Sequence, residues 1–368
     1  MESTIRYVGL DVHKETIVIA IAEEVGGEAN VLGKIPNDSL QLQKVLSRLG
    51  PRENLRCCYE AGPTGYGLYR NLKAAGVHCL VVAPSLVPER KGNRVKTDRR
   101  DATKLAHFLR SGDLTAVYVP DEASEAIRDL VRARFDAKKA EKAGRHQLGH
   151  FLLRQGRSYS GKSAWTKAHL DWIRRQQFEH KAQERVLVDN LHTVEEAEER
   201  VRRLEGDMAE LASAWSLYPL VQALQALRGV SFVAGVSIAA ELGDIGRFEH
   251  PGQLMAYVGL VPSEHSSGYS RRQGRITRTG NRNARWIAVE AAWSYRFRPN
   301  MDAEIRKRNE AVSPEVRRIA WKAQERLNRK YRRLLARGKN QQRAMAAVAR
   351  ELLGFMWAIS KEPKLLAG

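Results

Sequence analysis

The sequence predicts an α/β domain at the N-terminus, a helical coiled-coil middle and a mainly α C-terminal domain. Three observations predict it. Through about the first third of the chain, short apolar runs rich in Val and Ile take turns with stretches of helical period. Leu187, Leu191, Val194, Ala197, Val201, Leu204, Met208 and Leu211 then follow three-four spacing, with Glu and Arg flanking the seam. Later still, Trp321, Leu327, Tyr331 and Leu334 interleave with arginines as one apolar face of a basic helix. The expected divisions are 1–155, 156–215 and 216–368.

The first strand is expected over Arg6–Val12, with Asp11 at its end, and the second over Thr16–Ala22. Gly26 and Gly27 supply a turn into a third strand over Ala29–Ile35. Leu40–Leu49 reads as a helix and Asn54–Glu60 as a fourth strand that ends on a second acid. Gly65–Ala75 reads as a helix, Val77–Ala83 as a fifth strand and Asp98–Arg110 as the next helix. Three meandering strands followed by helix, strand, helix, strand and helix form the pattern of a ribonuclease-H-like domain. In that arrangement the first and fourth strands lie side by side, which brings Asp11 and Glu60 to one edge. Asp98 and Asp101, three residues apart at the head of a helix, share a face that can close over that edge.

Singly, each of these acids has an ordinary explanation. Asp at a helix start suits the helix dipole, Asp11 can end a strand, and Glu60 can pair with a base. Together they form a cluster whose like charges conflict unless a cation is present. One or two Mg²⁺ ions, with Mn²⁺ as a substitute, suit such oxygen donors and the chemistry of phosphate. The neighbours Arg94, Lys96, Arg99, Arg100 and Lys104 point to a polyanionic substrate. The turn Gly62–Gly67 lacks the Lys-Ser/Thr of a phosphate-binding loop and reads as a strand-to-helix turn.

Charge supports that direction. The 368 residues carry 62 Lys and Arg against 42 Asp and Glu, a net charge of +20, and the pI is about 10.0. Such an excess favours a nucleic-acid partner. Cys57, Cys58 and Cys79 have no zinc spacing and read as buried, reduced thiols. No apolar run has membrane-spanning length and no signal peptide is recognisable, so a cytoplasmic protein with no membrane partner is expected. The heptad seam suits pairing with a second copy slightly better than an antiparallel hairpin within one chain. The segment Leu227–Gly243 reads as two short helices about a glycine turn, a unit that serves either phosphate contact or plain packing. From Tyr269 to Arg285, glycine and hydroxyl residues mix with Arg271, Arg272, Arg275, Arg278, Arg282 and Arg285, which suits backbone phosphates. Serines beside these arginines are candidate nucleophiles, although a loop serine is more often inert.

Four segments taken together resemble the DEDD-type insertion-sequence transposases, a family that includes the Piv-type invertases. They are Gly9–Lys14, Tyr59–Ala61, Lys96–Ala102 and Gly259–Gly268, and the resemblance runs from Tyr7 to about Trp293. It implies a RuvC-like domain whose metal-binding tetrad is Asp11, Glu60, Asp98 and Asp101. It also implies a nucleophilic Ser267 that forms a covalent link to a DNA end; Lys96 and the arginines are candidate nucleic-acid contacts on their own composition. Ser266 stands where the family often has an acid, so Ser266 and, after it, Ser270 remain alternatives. The implied partners are double-stranded donor and target DNA, a structured guide RNA encoded beside the gene, and further copies of the chain as a dimer or tetramer. The implied place of work is the bacterial cytoplasm, at the nucleoid. Two rivals stay open: a RuvC-like endonuclease using metal alone, and a non-enzymatic nucleic-acid-binding protein. An actin-like ATPase is disfavoured by the basic C-terminal half and the missing phosphate loops.

Overall fold

A computed structural model describes residues 4–88, 97–267 and 270–366, with the side chains of 265–271 outside the description. The chain divides into two compact units, one ending at Val119 and the other beginning at Pro120.

The first unit is built on a five-stranded sheet. Its strands are β1 (Arg6–Val12), β2 (Thr16–Glu23), β3 (Asn30–Pro36), β4 (Leu55–Glu60) and β5 (His78–Val82). Their order is β3-β2-β1-β4-β5. β1 pairs antiparallel with β2 and parallel with β4, and β4 pairs parallel with β5. The expected mixed sheet is therefore present, each strand lying within about a residue or two of its sequence reading. Val and Ile dominate β2 because both faces of a central strand are covered. Helices α1 (Ser39–Arg48) and α2 (Gly67–Ala74) pack on one face, against Val8, Leu10, Ile17, Ile19, Cys57 and Tyr59. Helix α3 (Asp98–Ser111) covers the other. Its Ala102 and Ala106 meet Val18, Ala20 and Ala22, while its Leu105 and Leu109 meet Cys58 and Val82. Cys57 and Cys58 thus point to opposite faces, as strand periodicity requires. All three cysteines are buried and unbridged. Burial pushes the Cys57 and Cys58 thiols up, and Cys79 to about 12, so they act as small apolar residues.

The second unit opens with α4 (Glu122–Arg154) and includes α5 (Lys167–Arg174) and α6 (Lys181–Ala212). α4 and α6 are antiparallel partners. Arg134 pairs with Glu205 at 2.6 Å and Arg145 with Glu198 at 2.7 Å. Leu148, Phe151 and Leu152 pack against Leu187, Leu191 and Val194, together with Ile173 of α5. At Gly144, an added Cβ would lie 3.3 Å from the Val194 side chain, so the helices touch closely there. The slight preference for self-association through this seam is therefore corrected. Leu187, Leu191, Val194, Val201 and Met208 are buried within the chain, and Leu211 is exposed. A long α4 partner was available in the same chain, and an intramolecular contact avoids the entropy of association.

The rest of the unit comprises α7 (Tyr218–Leu224), α8 (Phe232–Leu242), α9 (Pro251–Tyr257), β6 (Pro262–Ser267), β7 (Ser270–Ile276), α10 (Arg282–Ala292), α11 (Ala303–Glu310), α12 (Pro314–Ala336) and α13 (Gln341–Ser360). The two-helix unit read at Leu227–Gly243 is α7 and α8, starting earlier than expected. From Gly235 to Leu242 α8 is buried throughout, which makes it a packing element. Its core partners include Ala284, Ala288 and Ala291 of α10 and Leu352 and Met356 of α13. Small alanine faces allow these helices to approach closely. The antiparallel β6–β7 hairpin was not expected in a mainly helical domain. Among the described residues, no helix is long and apolar enough to cross a membrane.

Candidate metal centre and the arginine hairpin

Sheet parity decides which side chains share a face at the β1–β4 edge. Gly9 faces α3 so closely that a Cβ there would sit 2.2 Å from the Ala102 carbonyl oxygen and 2.5 Å from the Ala106 nitrogen. Asp11, two residues on, lies on the same face. Cys58 also faces α3, its Sγ 3.6 Å from the Leu105 oxygen, so Glu60 shares that side. The parallel register pairs Leu10 with Tyr59, and the next positions along the two strands are Asp11 and Glu60. Thr97 caps α3 by accepting a hydrogen bond from the Arg100 amide, which puts Asp98 and Asp101 in the first turn. Gly9 is thus the point that lets the helix start descend over the sheet edge.

Asp11, His13 and Asp98 each offer a ligand atom, all within 4.8 Å of one another. His13 Nε2 lies 3.1 Å from Asp11 Oδ2 and 3.6 Å from Asp98 Oδ1. Lys34 Nζ lies 3.5 Å from Asp98 Oδ2. Burial raises the Asp11 carboxyl above its ordinary value. His13 opposes that rise, and the Asp98 and Asp101 charges add to it. The residues fit a hard divalent cation: carboxylate oxygens from two segments converge, and one of them is held in a state that a positive charge would relieve. Glu60 and Asp101 stand beside this trio rather than within it. His13 had no assigned role in the sequence, although Asp11-Val12-His13 has the spacing that puts two side chains on one side of an extended chain.

Ser267 ends β6 opposite Ser270 of β7, and Ser266 stands opposite Arg271. Their side chains, and the whole of Lys96, lie outside the described residues. Arg272, Arg275, Arg278 and Arg282 are exposed. Arg285 turns inward and donates to the carbonyls of Val258 at 2.7 Å and Thr279 at 3.0 Å. Burial lowers its pKa, and Arg278 and Arg282 lower it further. The hairpin base is held tightly. Thr277 donates to Val261 at 2.9 Å and Arg278 to Gly259 at 3.1 Å. Gly259 and Gly280 have φ of +72° and +73°, and a Cβ on either would strike backbone within about 2 Å.

Below the hairpin lies Glu241, whose side chain is 0% exposed. It accepts from Arg132 at 3.1 Å on both oxygens, from Asn281 at 2.8 Å and from Asn283 at 2.9 Å. Burial alone would raise its carboxyl, but these hydrogen bonds outweigh burial and hold it below the usual range. Glu241 thereby ties α4, α8 and the start of α10 together. The sequence offered no signal for it beyond a charged residue within an apolar helix. Farther along, Arg317, Arg318, Lys322, Arg329 and Arg332 line the exposed face of α12, while Arg326 and Lys330 pair with Glu351.

Comparison with known proteins adds family information. A family model described as "Transposase" of the DEDD IS110 type matches residues 8–155, and one described as "Transposase IS116/IS110/IS902 family" matches residues 221–307. The protein named "Putative transposase y4qE" of Sinorhizobium fredii is 47% identical over 360 residues, spanning 97% of this chain and 89% of the relative. The transposase for insertion sequence element IS1533 of Leptospira borgpetersenii is 31% identical over 345 residues, spanning 90% of this chain and 97% of the relative.

Proposed function

The chain belongs to the DEDD transposases of the IS110/IS116 family, and from that premise we propose that it recombines DNA by metal-assisted phosphoryl transfer with serine attack. Its activity as the DNA transposase of an insertion sequence follows from the family; the chemistry and partners below are our reading. The observation that carries the reading is the convergence of Asp11 and Asp98 at the sheet edge, with Glu60 and Asp101 flanking them.

In this reading Asp11, Glu60, Asp98 and Asp101 hold one or two Mg²⁺ ions. An ion bound there would stabilise the charge that develops on the pentacoordinate phosphorus of a DNA phosphate. Ser267 Oγ attacks the phosphorus, a sugar oxygen leaves, and the strand end is held as a phosphoserine until a second strand displaces it. Arg272, Arg275, Arg278 and Arg282, with Lys96 and Arg271, hold backbone phosphates. Arg285 supports the hairpin base instead. In sequence the catalytic part is read as 1–155, the helical segment as 156–215 and the serine-bearing part as 216–368. The family matches at 8–155 and 221–307 support the first and last, while α4, within 1–155, folds with α6 in the second unit. A structured RNA reads both DNA partners, and the work is done by a dimer or tetramer in the bacterial cytoplasm.

The test uses purified protein, its flanking noncoding RNA, labelled DNA across the element junction, and Mg²⁺. A protease-sensitive protein–DNA adduct on denaturing gels, lost in Ser267→Ala, is expected. Cleavage without an adduct, equal in both proteins, would replace this reading with a metal-only nuclease.

A further inference from the structure

We propose that His13 is a direct ligand of the divalent cation held by Asp11 and Asp98, so that the centre has a mixed nitrogen and oxygen donor set; this rests on the metal reading above. The four acids alone would make an all-oxygen site. His13 stands where a further ligand would stand. Metal–ligand bonds of about 2.1 Å place adjacent ligand atoms of an octahedral ion about 3 Å apart. His13 Nε2 lies at that spacing from Asp11 Oδ2, 3.1 Å, where the two are hydrogen-bonded, and somewhat beyond it from Asp98 Oδ1, 3.6 Å. A histidine serving only as a hydrogen-bond partner of Asp11 needs one acceptor. Here the same nitrogen addresses two carboxylates from different segments.

The imidazole also starts from a fixed base. The His13 amide donates to the Thr16 carbonyl at 2.8 Å. Asn37 Nδ2 donates to the His13 carbonyl at 2.8 Å, and the Asn37 amide donates to Glu15 at 2.9 Å. The turn from β1 to β2 is thereby clamped by the segment after β3. Clamping of this kind suits a group that must hold a position, because little entropy is left to lose on ligation. Half of the side chain is exposed, 52%, so an ion can reach it from solvent.

A nitrogen ligand changes which ion is preferred. Mg²⁺ keeps to hard oxygen donors and water, whereas a nitrogen donor favours first-row transition ions, of which Mn²⁺ is the one nearest to Mg²⁺ in its taste for carboxylates. The consequence is a centre that binds Mn²⁺ more tightly than Mg²⁺, with His13 as the source of the difference.

The experiment loads the full-length protein with Mn²⁺ alone and records pulsed electron paramagnetic resonance. A ¹⁴N coupling to the ion is expected in the wild type and its loss in His13→Gln. Mn²⁺ affinity should fall about tenfold in that variant and Mg²⁺ affinity by less. Mn²⁺ binding that Asp11→Asn abolishes, but that shows no nitrogen coupling in the wild type, would overturn the role of His13 and leave the acidic centre standing. A coupling that persists in His13→Gln would assign the nitrogen to another of the ten histidines and overturn it equally. Mn²⁺ binding indifferent to Asp11→Asn, or no binding, would overturn the metal centre together with the histidine. A wild-type spectrum without nitrogen coupling decides against His13 even if a variant folds poorly.

Discussion

Two shielded carboxylates, one in each unit, have opposite fates. Glu241 is fully enclosed yet held below the ordinary carboxylate range, because Arg132, Asn281 and Asn283 satisfy both of its oxygens. Asp11 is less enclosed, with 18% of its side chain exposed, yet it is pushed up. Burial and the neighbouring Asp98 and Asp101 charges outweigh the help from His13. The first carboxylate has its partners built in and is structural. The second is short of positive charge, the condition expected of a residue that awaits a cation.

The largest expected effect breaks that contrast at Asp11. Asp11→Asn should lower strand transfer at least about a thousandfold, or about 4 kcal/mol of barrier, while the melting temperature stays within a few degrees. Gel-based transposition and thermal melts check both halves. If Asp11 awaits a cation, Mg²⁺ should raise the melting temperature of the wild type and leave Asp11→Asn unmoved, and chelation should reverse the gain.

Glu241→Leu should act in the opposite way, on folding rather than chemistry. It removes the carboxylate that Arg132 and Asn283 donate to and leaves Asn281 only the backbone carbonyl of residue 241, and about 3 kcal/mol of stability should be lost in denaturant melts. The pH dependence has a definite sign. Because the folded state holds Glu241 below its unfolded pKa, its contribution is full above the ordinary carboxylate range. It is lost as pH falls through that range and the lowered folded value. Acid melts of the wild type should therefore be steeper than those of Glu241→Gln.

A smaller effect sharpens the role of sheet geometry. Gly9→Ala should cost about 1–3 kcal/mol, because its Cβ meets α3 backbone rather than a movable side chain. It should also impair activity beyond its stability cost, since α3 carries Asp98 and Asp101. The smallest effect separates the arginines. Arg275→Ala should reduce the salt slope of DNA binding by about 0.9, the value for one phosphate contact. Arg285→Ala should instead lower the melting temperature, because its guanidinium serves the Val258 and Thr279 carbonyls.

By itself the sequence determined the strand and helix order of the first unit, and with it the neighbouring ends of β1 and β4. Period-two runs of Val and Ile between turn glycines are local signals, and the parallel pairing of β1 with β4 follows from the topology they imply. The places of Asp11, Glu60, Asp98 and Asp101 at the end or start of an element were legible for the same reason, and of the four Asp11 and Asp98 are the two that meet with His13 in one cluster. Other features depended on partners distant in sequence. The seam of α6 could not reveal that α4 fills it, because an apolar stripe has the same pattern whether its partner is the same chain or another. The β6–β7 hairpin escaped notice because its strands are polar and short, with little apolar alternation to report them. Glu241 needed Arg132, Asn281 and Asn283, which arrive from segments 109, 40 and 42 residues away. His13 needed the packing of Gly9 against α3, which carries Asp98 to the imidazole. Local period fixes an element, whereas the balance of charge and burial at one atom is settled only when the whole chain has folded around it.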